Sequence, residues 1–158
     1  MTIDRIDWHA YAENFPEDMP KENGGNHIGY FMEYLFKHDF LPDNSNSAVE
    51  EYLKVKNGEK TGLSFLIENC DGKFWDIDTN EEGLRFTNYV YDYYLSNLEK
   101  VLEYSTYFVT YSSDDYLKIE NWLDEQYSIW VAKNRPILFQ SVKKERSKNK
   151  FLSKIFNK

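Results

Sequence analysis

The sequence predicts an all-α, mainly helical protein: a compact five- to six-helix bundle with one short strand or extended segment near residues 106–111. Three observations lead there. Apolar residues recur at i, i+3 and i+4 in one stretch after another, the stripe of a helix with a buried face. Ser, Thr or Asn precedes these stretches, and Gly or Pro follows them, as helix boundaries require. Finally, 158 residues without an internal repeat or low-complexity linker suit one compact unit. A composition of 41% hydrophobic and 18% aromatic residues excludes disorder as the general state of the chain, because enough apolar surface is available to offset the ordering entropy.

Residues up to Gly25 read as irregular, since Pro16, Pro20 and Asn23-Gly24-Gly25 punctuate them. Ile6, Trp8, Tyr11 and Phe15 are expected to pack onto the body. A first helix over 27–38 follows from the stripe Ile28, Phe31, Met32, Leu35 and Phe36. After the turn at Pro42-Asp43-Asn44, Ser47 with Glu50 reads as a capping box for a second helix that ends near Gly58. Thr61 to Cys70 forms a third, closed by Asp71-Gly72. Thr79 with Glu82 is a further expected capping box, and Phe86, Val90, Tyr94, Leu98 and Val101 carry the longest helix to about Tyr104. The β-branched and aromatic run 106–111 suits a strand or an extended connector. Ser113 is expected to cap a helix that presents Tyr116, Ile119, Leu123 and Trp130 and closes before Asn134-Arg135-Pro136.

The charge is uneven. Residues 143–158 hold seven Lys or Arg against one Glu, or +6; taking that from the net −8 leaves −14 on residues 1–142. The chain thus divides into an acidic helical domain, 1–142, and a basic amphipathic tail, 143–158, with Phe151, Leu152, Ile155 and Phe156 at helical spacing. An acidic body repels the nucleic-acid backbone and favours cationic partners. The tail could dock on anionic lipid or fold back on the body, and the second is favoured because opposite charge lies on the same chain. No apolar run behind basic residues marks a secretory signal, so the expected location is cytoplasmic. Cys70 lies within an apolar pattern and reads as a small buried hydrophobe.

Candidate chemistry is sparse. Asp76, Asp78 and Asn80 match the start of a calcium loop, but Glu81 stands where Gly is needed and Thr87 where a bidentate carboxylate is needed. His9, His27 and His38 form no HxxxH, HExxH or Cys/His cluster, so no metal site is expected. There is no phosphate loop and no GxSxG elbow. Neither a catalytic set nor a cofactor is therefore expected. Two acidic surfaces remain: Asp114, Asp115, Glu120, Asp124 and Glu125 beside Trp122 and Tyr127, and Asp92 with Glu99 among Tyr91 and Tyr93. Asp92, Asp114, Asp115, Glu120, Trp122, Asp124 and Glu125 are the expected partner-binding residues, by charge complementarity around aromatic anchors.

The runs Ile6 to His9 (IDWH), Pro16 to Asn23 (PEDMPKEN), His27 to Phe31 (HIGYF), Phe65 to Trp75 (FLIENCDGKFW) and Asn80 to Gly83 (NEEG) occur in that order. Over about residues 5–95 the chain resembles an uncharacterised family of small bacterial cytoplasmic proteins with a W-H, P-x-D-x-P, H-I-G and C-D-G-K layout. In size and charge such proteins are similar to immunity proteins, which neutralise a toxin by covering its active site. The resemblance implies a binding protein, immunity- or antitoxin-like, whose partner is a basic toxin or effector domain. The basic tail departs from that pattern. The alternative is a small enzyme assembled from His27, Glu22, Asp71 and Asp76.

Overall fold

A computed structural model describes residues 1–43 and 49–137. The expected helical bundle is present, joined by a small ribbon that the local pattern does not reveal. Strand β1 (Thr2–Arg5) leads into a short helix α1 (Ile6–Ala10). A 3-10 turn over Lys21–Gly25 runs into α2 (Asn26–Lys37), followed by α3 (Val49–Lys56) and α4 (Gly62–Cys70). Strand β2 (Lys73–Trp75), a turn at Asp76–Asp78, the long α5 (Glu81–Leu102), a 3-10 turn at Thr106–Phe108 and α6 (Ser113–Ala132) complete the order. The expected Ser47 cap and the 143–158 tail lie outside the described residues.

The opening segment departs from its reading as irregular. β1 pairs antiparallel with β2, Asp4 opposite Phe74 and Arg5 opposite Lys73. A partner about seventy positions away leaves no local signature, and an isolated two-stranded ribbon is at best marginally stable in water. This one is held by Phe74, buried in the core, and by the Ile6 N–H donating to Gly72 O at 2.9 Å. Phe15 is buried and Ile6 partly so, whereas Trp8 and Tyr11 stand 54% and 77% exposed, against expectation.

Helix α2 is the axis of the fold. The expected apolar stripe is fully buried, but so is everything else from Asn26 to Phe36. Its polar atoms therefore need partners inside the protein. Asn26 Nδ2 donates to Thr106 O and Val109 O at 2.9 and 2.7 Å. The Tyr94 hydroxyl donates to His27 O, and Tyr30 accepts the Ser112 N–H. Glu33 accepts from Lys37, from the Gly62 N–H and from the Tyr111 hydroxyl. The bonds at Thr106 and Val109, with Asn23 Nδ2 on Tyr107 O, explain why 106–108 is a 3-10 turn and no strand: side chains take the carbonyls that a strand would offer a neighbour.

α4 crosses α2 at a point where both backbones are bare. A Cβ on Gly62 would lie 1.9 Å from Gly29 O, and one on Gly29 would lie 2.6 Å from Leu63 N. The caps fall beside the expected positions. Thr61, read as the first residue of α4, precedes it and caps it by accepting the Ser64 N–H, and Asn80, not Thr79, caps α5 by accepting from Gly83 N. Thr79 instead donates its hydroxyl to Phe40 O. Ser112, one residue before the expected Ser113, caps α6 by accepting from Asp115 N. Tyr116, Ile119, Leu123 and Trp130 are buried on α6 as read, as are Phe86, Val90, Tyr94 and Leu98 on α5. Burial pushes the half-buried Cys70 thiol up to about 12, in keeping with a packing role. Among the described residues no helix is long and apolar enough to cross a membrane.

Two predictions follow from this packing. Gly62→Ala forces α4 off α2 and should cost about 2–3 kcal/mol in urea unfolding, at the upper end for overpacking because the obstacle is backbone. Unchanged stability would refute the close crossing. The second concerns Asp78, whose Oδ2 accepts the Trp75 N–H at 2.8 Å. Burial, reinforced by Asp76, pushes its carboxyl from 3.8 up to about 6 against that hydrogen bond. Between these values the unfolded chain has released the proton that the folded chain keeps, so this group makes stability fall as pH rises from about 4 to 6. Asp78→Asn should match wild type near pH 4 and exceed it by about 2–3 kcal/mol at pH 7; parallel pH profiles would count against it.

Candidate functional site

Three side chains far apart in sequence meet where β1, α1 and α2 converge: Asp4, His9 and His27. Asp4 is the penultimate residue of β1, and its side chain is turned inward and only 5% exposed. His9 lies in the last turn of α1 and is 21% exposed; His27 is the second residue of α2 and 3% exposed. His9 Nε2 lies 2.7 Å from Asp4 Oδ1, and His27 Nε2 lies 3.2 Å from Asp4 Oδ2. The two Nε2 atoms are 3.2 Å apart, with the rings edge to face.

Around this centre a second layer fixes orientation. The Tyr91 hydroxyl and the Arg5 N–H donate to the Asp4 carboxylate at 2.8 and 2.7 Å. The Tyr107 hydroxyl lies 2.7 Å from His9 Nδ1, and Phe15 packs on the Tyr107 ring. Burial by itself would raise the Asp4 carboxyl, but hydrogen bonds from His27 and His9 outweigh it and hold it well below the usual carboxylate range. Burial depresses the His27 imidazole, with Asp4 pulling the other way. The result is an ionised carboxylate facing two imidazoles, one sealed and one open to solvent. Such an arrangement can relay protons or ligate a soft-to-borderline cation.

Sequence spacing did not reveal this cluster. No metal site was expected, yet these are the three His or carboxylate residues whose donor atoms all lie within 4.8 Å of one another among the described residues. The signal lies in tertiary structure: the ligands come from a strand and two helices. The residues expected to join His27 do not: Glu22 is exposed, Asp71 pairs with Lys73, and Asp76 lies beyond β2.

A family model described as "Domain of unknown function (DUF7832)" matches residues 2–129. The chain belongs to the DUF7832 family. That span contains β1, α1 and α2, so the Asp4–His9–His27 cluster lies within the DUF7832 domain. No curated protein matches the chain, and no solved structure does.

The expected partner face of the DUF7832 domain separates into parts. Asp115 is buried, donates its N–H to the capping Ser112 hydroxyl and accepts from the Tyr104 hydroxyl, so it is not available to a partner. Glu120 and Asp124 point toward the end of α2, where Glu120 binds His38 and Asp124 accepts from Tyr34, while Glu120 also accepts from Tyr116 one turn earlier on α6. Trp122 and Glu125 face α5, in a shallow groove shared with Asn97, Lys100, Val101, Lys118 and Asn121. Tyr93 lies over Trp122 with ring centroids 5.5 Å apart. Asp92, Glu99 and Asp114 are exposed.

The second layer around Asp4 can be tested directly. Tyr91→Phe removes one donor from a buried carboxylate and should cost about 1.5–3 kcal/mol, the range for hydrogen bonds to charged groups. Tyr107→Phe, at the half-exposed rim, should cost less. Equal effects in chemical denaturation would contradict the burial order.

Proposed function

We propose that this DUF7832 chain is a binding protein that covers a cationic surface on another protein, in the manner of an immunity or antitoxin protein. One observation supports the reading best: a body of net charge −14 leaves Asp92, Glu99, Asp114 and Glu125 exposed on α5 and α6, and Glu125 shares a groove with Trp122, which pairs with Tyr93. Exposed carboxylates raise the encounter rate with a basic partner, and half-buried aromatic rings supply anchoring area at low entropic cost. Toxins that cleave nucleic acid carry cationic clefts, and an acidic protein fits over them. Lys100 and Lys118 on the same groove would set register by pairing with acidic rim residues of the partner.

The product of the neighbouring open reading frame is the partner to try first. A nanomolar complex, and protection of cells that express both, is the expected outcome. Charge reversal at Asp92 and Glu125 together should slow association about tenfold at low ionic strength, and the difference should shrink as salt rises past the screening range. Trp122→Ala should instead speed dissociation. No complex and no protection would remove the reading.

A further inference from the structure

We propose that Asp4, His9 and His27 bind one divalent transition-metal ion, with zinc the best chemical fit. The proposal goes beyond the partner reading and does not depend on it, since it concerns a different face and a different ligand class.

Donor type comes first. Two imidazole nitrogens and one carboxylate oxygen are a ligand set that zinc takes readily, whereas magnesium and calcium prefer oxygen alone. Geometry comes second. Tetrahedral zinc with bonds of about 2.0–2.1 Å has ligand–ligand edges of about 3.3–3.4 Å. Here His9 Nε2 to His27 Nε2 is 3.2 Å and His27 Nε2 to Asp4 Oδ2 is 3.2 Å. His9 Nε2 meets the other carboxylate oxygen, Oδ1, at 2.7 Å, so bringing both nitrogens and the carboxylate onto one ion requires a small rotation of the half-exposed His9 ring.

Protonation supplies the third step. Without an ion, donation to Asp4 from both rings takes a proton on each Nε2, which places two N–H groups side by side at the 3.2 Å separation. Their partial positive charges repel, in a buried site where such repulsion is poorly screened. An ion removes both protons and converts the repelling pair into two ligands. The outer contacts then agree: with Nε2 on the metal, His9 Nδ1 carries the proton and donates to the Tyr107 oxygen 2.7 Å away. Tyr91 and the Arg5 N–H orient the Asp4 carboxylate as outer partners commonly do. Three protein ligands, with His9 at the solvent side, leave a fourth position for water or a ligand atom.

The test uses the full chain, stripped of metal with a chelator and titrated with zinc against a chromophoric competitor. One equivalent should bind, and cobalt in its place should give the visible absorption of a four-coordinate site. His9→Ala, on the partly exposed α1, should weaken zinc binding by more than the tenfold to hundredfold typical of an outer-shell change. Tyr107→Phe should weaken it by about tenfold. His38→Ala serves as the control, since His38 with Glu120 and Asp124 is the other histidine–carboxylate group. Circular dichroism of each variant confirms that it folds. Loss of the zinc equivalent and of the cobalt spectrum in His9→Ala, with both kept in His38→Ala, establishes the site. No stoichiometric binding by the wild-type chain, or binding that survives His9→Ala or disappears only with His38→Ala, overturns it.

Discussion

Burial of α2 on every side is the constraint on which the rest of the structure depends. A helix exposed on one face can leave its polar side chains to water; this one cannot. Asn26, His27, Tyr30, Glu33 and Tyr34 all lie inside, and each polar group calls for a partner from another segment. The 3-10 turn at 106–108 is held by Asn26, the start of α6 by Tyr30, and the start of α4 by Glu33. The strand β1 supplies Asp4 to His27. The short elements around α2 are thus arranged as much by what its polar atoms need as by apolar burial.

The legibility of the fold follows the range of its causes. Helical stripes are set by residues three and four apart, so α2, α5 and the inner face of α6 could be read from the chain alone. Caps were readable to within one residue: Ser112 and Ser113, or Thr79 and Asn80, are chemically equivalent until tertiary contacts assign one elsewhere, as Phe40 O does for Thr79. The β1–β2 ribbon was not readable, because Thr2–Arg5 has too few residues to show alternation and its partner lies beyond four helices. The run 106–111 reads equally as a strand or an extended connector because β-branched and aromatic residues suit any half-buried extended surface; a 3-10 turn takes 106–108, Val109 is extended, and no partner strand exists for the run among the described residues.

The acidic face and the Asp4–His9–His27 cluster relate to the sequence in opposite ways. Counting acidic residues on α6 gave a list but not a face, since positions 120 and 124 point one way and 122 and 125 another, while 115 turns inward. Helical phase separates residues that sequence places together. The Asp4–His9–His27 cluster is the reverse case: motif searches for closely spaced histidines ask for ligands on one element, and here three elements contribute one each. The W-H and H-I-G runs that suggested a family resemblance each contain one of the two histidines, and only the fold makes them neighbours.

The two functional readings differ in what they require of the buried carboxylate. A partner-covering protein needs Asp4 only as a structural anchor, and in that role the carboxylate and its partners together could be replaced by apolar groups of similar shape at little cost. The arrangement carries more than an anchor needs: four donors converge on one carboxylate, the outer imidazole is braced by a tyrosine at the rim, and its edge reaches solvent. A metal centre would use the opening on the His9 side, because its fourth position must admit a ligand, and an ion there would also tie β1 and α1 to α2, supplying the stability that a two-stranded ribbon lacks by itself.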